Sequence, residues 1–262
     1  MTTDKWNSGT SYEPYVGRWS RRVAREFLSW LDIPAERRWL DVGCGTGALS
    51  HTILEVAQPR EVKGVDRSEA FISFAREHIV DKRASFAVGD AENLPEDASS
   101  YDVVVSGLVL NFVPDQKRAV SEMRRATSPK GVVAAYVWDY ADQMQMMRVF
   151  WDAAVALNPD VLELDEVRRF PICKPEPLTE LFLSAGLRQA EARPIDIATH
   201  FSDFDDYWSP FLGGQGPAPS YAMALTEDDR TQLRETIRAR LPIQPDGSID
   251  LIARAWAVRG IH

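Results

Sequence analysis

Residues 37–50, Arg-Arg-Trp-Leu-Asp-Val-Gly-Cys-Gly-Thr-Gly-Ala-Leu-Ser, hold the types and spacing most able to do chemistry in this chain. Gly43, Gly45 and Gly47 stand at alternate positions, after the apolar run Trp39, Leu40 and Val42 and before the helical face Ala48, Leu49, Ile53 and Leu54. A glycine-rich bend between strand and helix lets backbone approach a ligand that a Cβ would exclude. The free N–H groups of the helix start then face that ligand. Such a bend is a nucleotide-type cofactor site. Asp66 ends the next short apolar run, 19 residues beyond Gly47. At that distance a carboxylate reaches ribose hydroxyls.

Two readings share these letters. Gly43-x-Gly45-x-x-Ala48 satisfies the dinucleotide fingerprint, which implies a nicotinamide-dependent oxidoreductase. The other reading is acid-x-Gly-x-Gly-x-Gly, with Asp41 as the acid. A carboxylate at the tip of a buried strand suits cationic ammonium and sulfonium groups better than a pyrophosphate. On Leu40-Asp41-Val42-Gly43-Cys44-Gly45-Thr46-Gly47 the chain resembles motif I of the class I S-adenosylmethionine (SAM) dependent methyltransferases. The bland alternatives are a glycine turn without a ligand and, for Asp66, a solvent-facing strand end.

The resemblance implies further roles. The run Tyr12 to Ser20 is similar to an N-terminal segment that folds over the cofactor, where Tyr15 and Arg18 reach the methionine carboxylate or the substrate; a surface ion pair is the other reading of Arg18. Asp90 and Ala91 take the adenine positions, a carboxylate accepting from an exocyclic amine. Ser106 and Leu108 match the backbone-contact positions. Cys44, Arg67 and Glu92 complete the implied cofactor shell. Asn111 stands where the family often has a polar residue facing substrate. Trp138, Asp139, His200, Trp208 and Phe211 are the remaining candidates for an acceptor pocket. His200 and Asp139 are comparable candidates for a general base, needed only if the nucleophile arrives protonated, and no catalytic residue is assigned. No His/Cys/Asp cluster has metal-ligand spacing, so no metal is expected, and no nucleophile elbow or phosphate loop occurs.

The elements that must position these residues follow from periodicity. A helix is expected over 19–31, with Val23, Phe27, Leu28 and Leu31 at helical spacing, closed by Pro34. From 37 to 138 strand and helix alternate, which implies a parallel sheet covered on both faces. Strands are expected at 61–66, 84–90, 101–106 and 132–138. Helices are expected after the bend at 48–57, after Ser68, and at 116–127, the last stopped by Ser128-Pro129-Lys130-Gly131. Beyond Tyr140 the alternation breaks into a Met- and aromatic-rich helical insertion at 143–157 and a Pro-interrupted stretch. A helix at 178–185 follows. Segments 188–201 and 248–258 alternate again and fit a late antiparallel pair. Between them lie an aromatic stretch 204–212, a Gly/Pro hinge 213–219 and a charged helix 226–240 opened by Thr226.

The expected fold is therefore α/β: a Rossmann-like, doubly wound, seven-stranded, mostly parallel sheet with an antiparallel C-terminal hairpin and helical cap insertions. Residues 1–262 read as a single domain, with 1–36 as an N-terminal helical lid and 141–177 and 202–240 as cap segments.

Composition bounds the partners. A formal net charge of −9 argues against a nucleic-acid backbone or an anionic membrane surface as the main partner. Paired arginines such as Arg124-Arg125 are interleaved with acids and read as solvated helix faces. Two cysteines make no disulfide framework. The polar start lacks a signal-peptide core, and the longest apolar runs are strand-sized. A soluble cytoplasmic protein, monomer or homodimer, is expected. The resemblance implies methyl transfer from SAM, with S-adenosylhomocysteine as product, to a small organic acceptor. The alternatives are an NAD(P)-dependent oxidoreductase and a SAM-binding regulatory module without chemistry.

Overall fold

The computed structural model describes residues 18–213 and 216–262. Tyr15 lies outside them. Its strands are β1 (Arg38–Val42), β2 (Glu61–Asp66), β3 (Ala84–Val88), β4 (Tyr101–Gly107), β5 (Thr127–Trp138), β6 (Arg188–Phe201) and β7 (Ile249–Ile261). The first four helices are α1 (Arg18–Leu31), α2 (Ala48–Val56), α3 (Glu69–His78) and α4 (Gln116–Ala126). They are followed by α5 (Gln145–Leu157), α6 (Glu166–Arg169), α7 (Pro175–Ser184), α8 (Phe204–Trp208), α9 (Pro217–Ala224) and α10 (Glu227–Arg240).

By contacts the described residues divide into two units, one of 20–138, 172–195 and 255–262, the other of 18–19, 139–171 and 196–254. The seven strands form one sheet in the order β3-β2-β1-β4-β5-β7-β6. β1 pairs in parallel with β2 on one side and β4 on the other, so Asp41 stands opposite Gly64 and Val105. β5 pairs antiparallel with β7, Val132 opposite Ile261. The cross-strand pairs Glu191–Arg259, Asp196–Arg254 and His200–Asp250 run in opposite senses along β6 and β7, as antiparallel neighbours must. The predicted sheet with its antiparallel C-terminal pair is observed. The chain leaves β1 toward β2 and β3, then returns to β4 on the other side. The carboxyl ends of β1 and β4 thus flank a switch point, where open α/β sheets place ligands.

In the unit that holds β1 to β5, the sheet interior reads as β-branched and apolar because both faces are covered: Leu40, Val104, Val105, Val133 and Ala134 are fully buried. α1 lays Val23, Ala24, Phe27, Leu28 and Leu31 inward, and the Phe27 ring meets Tyr136 of β5 at 4.7 Å. The described part of the expected lid is thus a core helix. β5 begins at Thr127, five residues before the expected strand. Lys130, at φ 68°, lies within the register shift between the pairs Tyr101–Thr127 and Val103–Val132. β3 stops at Val88, two residues early, because Gly89 and Asp90 enter a turn closed by Asn93.

The other unit has an aromatic interior. Phe150 stacks on Phe211 at 4.6 Å, Tyr207 and Trp208 flank Phe211, and the Tyr207 hydroxyl donates to the Met146 carbonyl at 2.8 Å. Arg148 holds Asp165 with two bonds of 2.9 Å. Pro217 to Pro219, read from sequence as hinge, instead open α9, since proline is accommodated in a first helical turn.

Glu166 of α6 is fully buried, and neither carboxyl oxygen has a hydrogen-bond partner. The Trp151 indole N–H lies close by without completing a bond to it. Burial, with the charge of Asp165 adding to it, raises its pKa from 4.5 to about 8. A carboxyl whose folded value exceeds its unfolded value stabilises most below the unfolded value, and that stability is lost as pH rises through the folded one. Glu166→Gln is expected to raise the melting temperature at pH 9 by about 4 °C or more and at pH 5 by less than about 2 °C. Thermal unfolding at the two pH values checks it.

Candidate functional site

The bend after β1 is held from β2. The Val65 carbonyl accepts from the Gly43 N–H at 2.7 Å and the Cys44 N–H at 3.1 Å. All three glycines take positive φ, 72°, 53° and 90°, which L side chains rarely adopt. They differ in what lies over them. A Cβ on Gly43 would collide with Val109, and one on Gly47 with Ile79. A Cβ on Gly45 would meet nothing within 4 Å. The open side of the bend is at Gly45. Gly47 leaves α2 without a side-chain cap.

Two acids enter the bend. Asp66, at the end of β2, accepts from the Gly45 N–H at 3.0 Å and the Ser68 N–H at 2.8 Å. Burial raises its carboxyl above the usual range, against the pull of those two donors. Asp41, at the end of β1, is wholly enclosed. It accepts from the Ser50 hydroxyl of α2 at 2.7 Å, and its other oxygen has no donor. Burial raises its pKa from 3.8 to about 7, opposed by the bonds from Ser50 and reinforced by the charge of Asp66. Asp41 therefore sits beneath the bend, where it ties strand to helix, and its side chain is not on the surface the sequence reading gave it.

The remaining predicted cofactor residues fall at the same edge of the sheet, with different orientations. The Cys44 side chain turns into a core of Ile72, Ala75 and Phe86, and burial pushes its thiol well up, so only its backbone belongs to the bend. Asp90 is exposed and closes its own turn, accepting from the Glu92 N–H at 2.9 Å. Ala91 follows, half-buried. Glu92 is bound to the start of α4, accepting from the Asp115 N–H at 3.0 Å. Arg67 is exposed. Ser106 is buried near the end of β4, and Leu108 takes φ 61° with its N–H donated to the Tyr136 carbonyl at 2.8 Å. A left-handed leucine is strained.

The predicted acceptor-pocket residues divide between the units. Asn111 is buried after β4, its amide nitrogen without a partner, and Trp138 is buried at the end of β5. Asp139, Trp208 and Phe211 are buried in the aromatic unit, where the Asp139 carboxylate accepts from the Gln143 N–H at 3.3 Å and so organises the entry to α5. The His200 side chain is 61% exposed and paired with Asp250 at 2.8 Å on the strand surface. In the same unit, Arg18 donates to Asp206 at 2.9 Å, and its guanidinium lies 4.7 Å from the centre of the Phe201 ring. Among the described residues no group of three or more His, Cys, Asp or Glu could hold a metal ion.

Sequence reasoning missed Ser50, Val109 and the Tyr136 carbonyl. Ser50 in the first turn of a helix was the available signal. Val109 and Tyr136 carry none, since Val109 acts by where the segment after β4 places it and Tyr136 by its register in β5.

Residues 40–135 match the family model described as a methyltransferase domain. A trans-aconitate 2-methyltransferase of Variovorax paradoxus is 28% identical over 122 residues, 47% of this chain and 46% of that protein. A demethylmenaquinone methyltransferase of Staphylococcus aureus is 32% identical over 132 residues, 50% of this chain and 53% of that protein. The chain thus spans about half the length of the curated relatives it matches. Among solved structures, the YcgJ protein of Bacillus subtilis superposes with TM-score 0.59 at 18% identity, covering 92% of this chain and 97% of that one. The Haemonchus contortus phosphoethanolamine N-methyltransferase 2, solved in complex with S-adenosyl-L-methionine, gives 0.60 at 17% identity, over 96% of this chain and 56% of that one. The fold is the Rossmann-like one shared with these two structures, and residues 40–135 are the part that matches the methyltransferase domain model.

The glycines should separate in stability. Gly43→Ala, strained and colliding with Val109, is expected to destabilise by about 3 kcal/mol or more, whereas Gly45→Ala, strained only, loses about 1–2 kcal/mol. Urea unfolding midpoints at unchanged slope measure both.

Proposed function

We propose that this chain is a SAM-dependent methyltransferase that methylates a small organic acceptor. The observation that carries the reading is the bend at Gly45: bare backbone opening on free space, beside the Asp66 carboxylate, at the carboxyl end of β1. The match of residues 40–135 to a methyltransferase domain supports it.

The residues present fit the cofactor. The backbone at Gly45 and the start of α2 offer a surface a Cβ would fill. Asp66 suits ribose hydroxyls, with the Gly45 and Ser68 N–H groups holding its carboxylate in place. Asp90 and Ala91 suit the adenine, and the Leu108 segment suits the methionine end. Bound there, SAM would supply a methyl carbon on a sulfonium for in-line displacement by an acceptor lone pair. The chain's part is alignment and exclusion of water, which can supply much of the acceleration. Apolar surroundings favour a transition state in which positive charge disperses.

The relatives whose names specify trans-aconitate and demethylmenaquinone support a small acceptor for this chain too. The net charge of −9 disfavours nucleic acid. We assign a cytoplasmic setting from a sequence whose two cysteines make no disulfide framework; among the described residues no helix is long and apolar enough to cross a membrane. Segments 141–177 and 202–240 are proposed to act as a cap.

Calorimetric titration with SAM, S-adenosylhomocysteine and NAD tests the cofactor class. Binding of the first two and not the third is expected, and NAD binding alone would overturn the reading. Asp66→Ala and Gly45→Val are each expected to weaken SAM at least tenfold. A methyl-release screen over phenols, amines and small carboxylic acids then tests turnover. Intact SAM binding with silence across that panel would favour a regulatory module.

A further inference from the structure

Asp41 is an enclosed acid with unfinished bonding. Its Oδ2 accepts from the Ser50 hydroxyl at 2.7 Å, while its Oδ1 is buried without a donor. The groups around it are few. β2 presents Asp66, whose two oxygens are taken by Gly45 and Ser68, with the Arg67 charge acting on Asp66. β4 presents Val105 opposite and then Ser106. α2 presents Ser50 and, one residue on, His51, and the bend presents the neutral thiol of Cys44. Among the described residues no Lys, Arg or His forms an ion pair with Asp41. Two carboxyls thus bracket one backbone bend, one bonded at both oxygens by N–H groups and one enclosed with a single oxygen bonded.

We propose that binding of a cationic cofactor at the bend is coupled to loss of one proton from Asp41. The inference rests on the methyltransferase reading. In the free protein at neutral pH, burial and the neighbouring Asp66 hold much of the Asp41 population as the neutral acid. A sulfonium and an ammonium brought to the bend add positive charge through a low-dielectric interior, where charge acts over longer distances than in water. The O–H bond of the acid breaks, its proton passes to buffer, and the electron pair stays as carboxylate. The Ser50 hydroxyl then donates to an anion, a stronger bond, and ties β1 more firmly to the first turn of α2. Asp41 is therefore a positioning residue that acts through Ser50, and it becomes a counter-charge when the cation arrives. Two consequences follow: SAM affinity falls toward acid by up to tenfold per pH unit between the free and the bound titration of Asp41 and levels off below the latter, and the bend is tighter in the complex than in the free chain.

The test is titration calorimetry of the full chain with SAM at pH 6, 7 and 8, each in two buffers of contrasting ionisation enthalpy, beside Asp41→Asn. Asparagine keeps an acceptor oxygen for Ser50 and has no proton to lose. The α-amino group of SAM titrates in the same range, so the difference between chain and variant is the readout. About half a proton more is expected to leave the wild-type chain at pH 7, more at pH 6 and little at pH 8. Equal proton release by chain and variant at all three pH values would overturn the proposal. If Asp41→Asn does not fold, carboxyl carbon NMR of the wild-type chain decides instead. The Asp41 inflection should fall by at least one pH unit on adding SAM, and an unmoved inflection rejects the coupling. Absence of any binding heat with both SAM and S-adenosylhomocysteine would reject the cofactor reading itself, a different outcome from binding without proton release.

Discussion

The Val65 carbonyl, accepting from two successive N–H groups at Gly43 and Cys44, is the interaction on which the candidate site depends. It forces the chain to leave β1 sharply while still anchored to β2, and only left-handed backbone can make that exit, hence the glycines. Everything downstream inherits the geometry. α2 starts without a side-chain cap at Gly47, and Asp41 ties its first turn to β1 from below by accepting from the Ser50 hydroxyl. Asp66, one residue beyond Val65, is carried into the bend by the same strand end and bonds the Gly45 N–H.

The acids at the carboxyl ends of the first three strands have different environments, which gives them different chemistry. Asp66 has both oxygens engaged by N–H groups, Asp41 is sealed with one oxygen bonded, and Asp90 faces solvent. Three identical side chains at or just beyond strand ends are thus a carboxylate bonded into the bend, an internal staple and a surface turn-former. Burial together with the donors each keeps separates the first two in ionisation, because desolvation penalises the charged form unless donors replace the lost water. The other unit of the chain repeats the principle at Glu166, where a carboxyl without donors is raised further still.

Hydrophobic periodicity, the glycine spacing and the acid-ended strands made the parallel part of the sheet, its helices and the location of the bend legible before any coordinates. Those signals are local: a strand buried on both faces must be apolar throughout, and a backbone with positive φ must be glycine or strained. The errors came where local signals were absent or ambiguous. Thr127 to Gly131 looks like a helix stop followed by a loop, yet β4 recruits it as strand by pairing Tyr101 with Thr127. Pro217 to Pro219 looks like a hinge and is a first helical turn. For His200, a residue type that titrates near neutrality, only the structure supplies the place, the solvent face of β6 beside Asp250.

The amino-acid order by itself determined which elements form, that the bend after β1 must be bare backbone, and that acids end the strands beside it. Spacing and periodicity encode these because each is decided within a turn of helix or a few strand residues. Tertiary structure alone decided that Gly43 and Gly47 are shut by Val109 and Ile79 while Gly45 stays open. It also decided that Asp41 is enclosed beneath Ser50 and that Cys44 turns into the core. Those outcomes depend on atoms brought together from separate strands, and burial, which sets both access and ionisation, is a property of the assembled neighbours that no residue type carries alone.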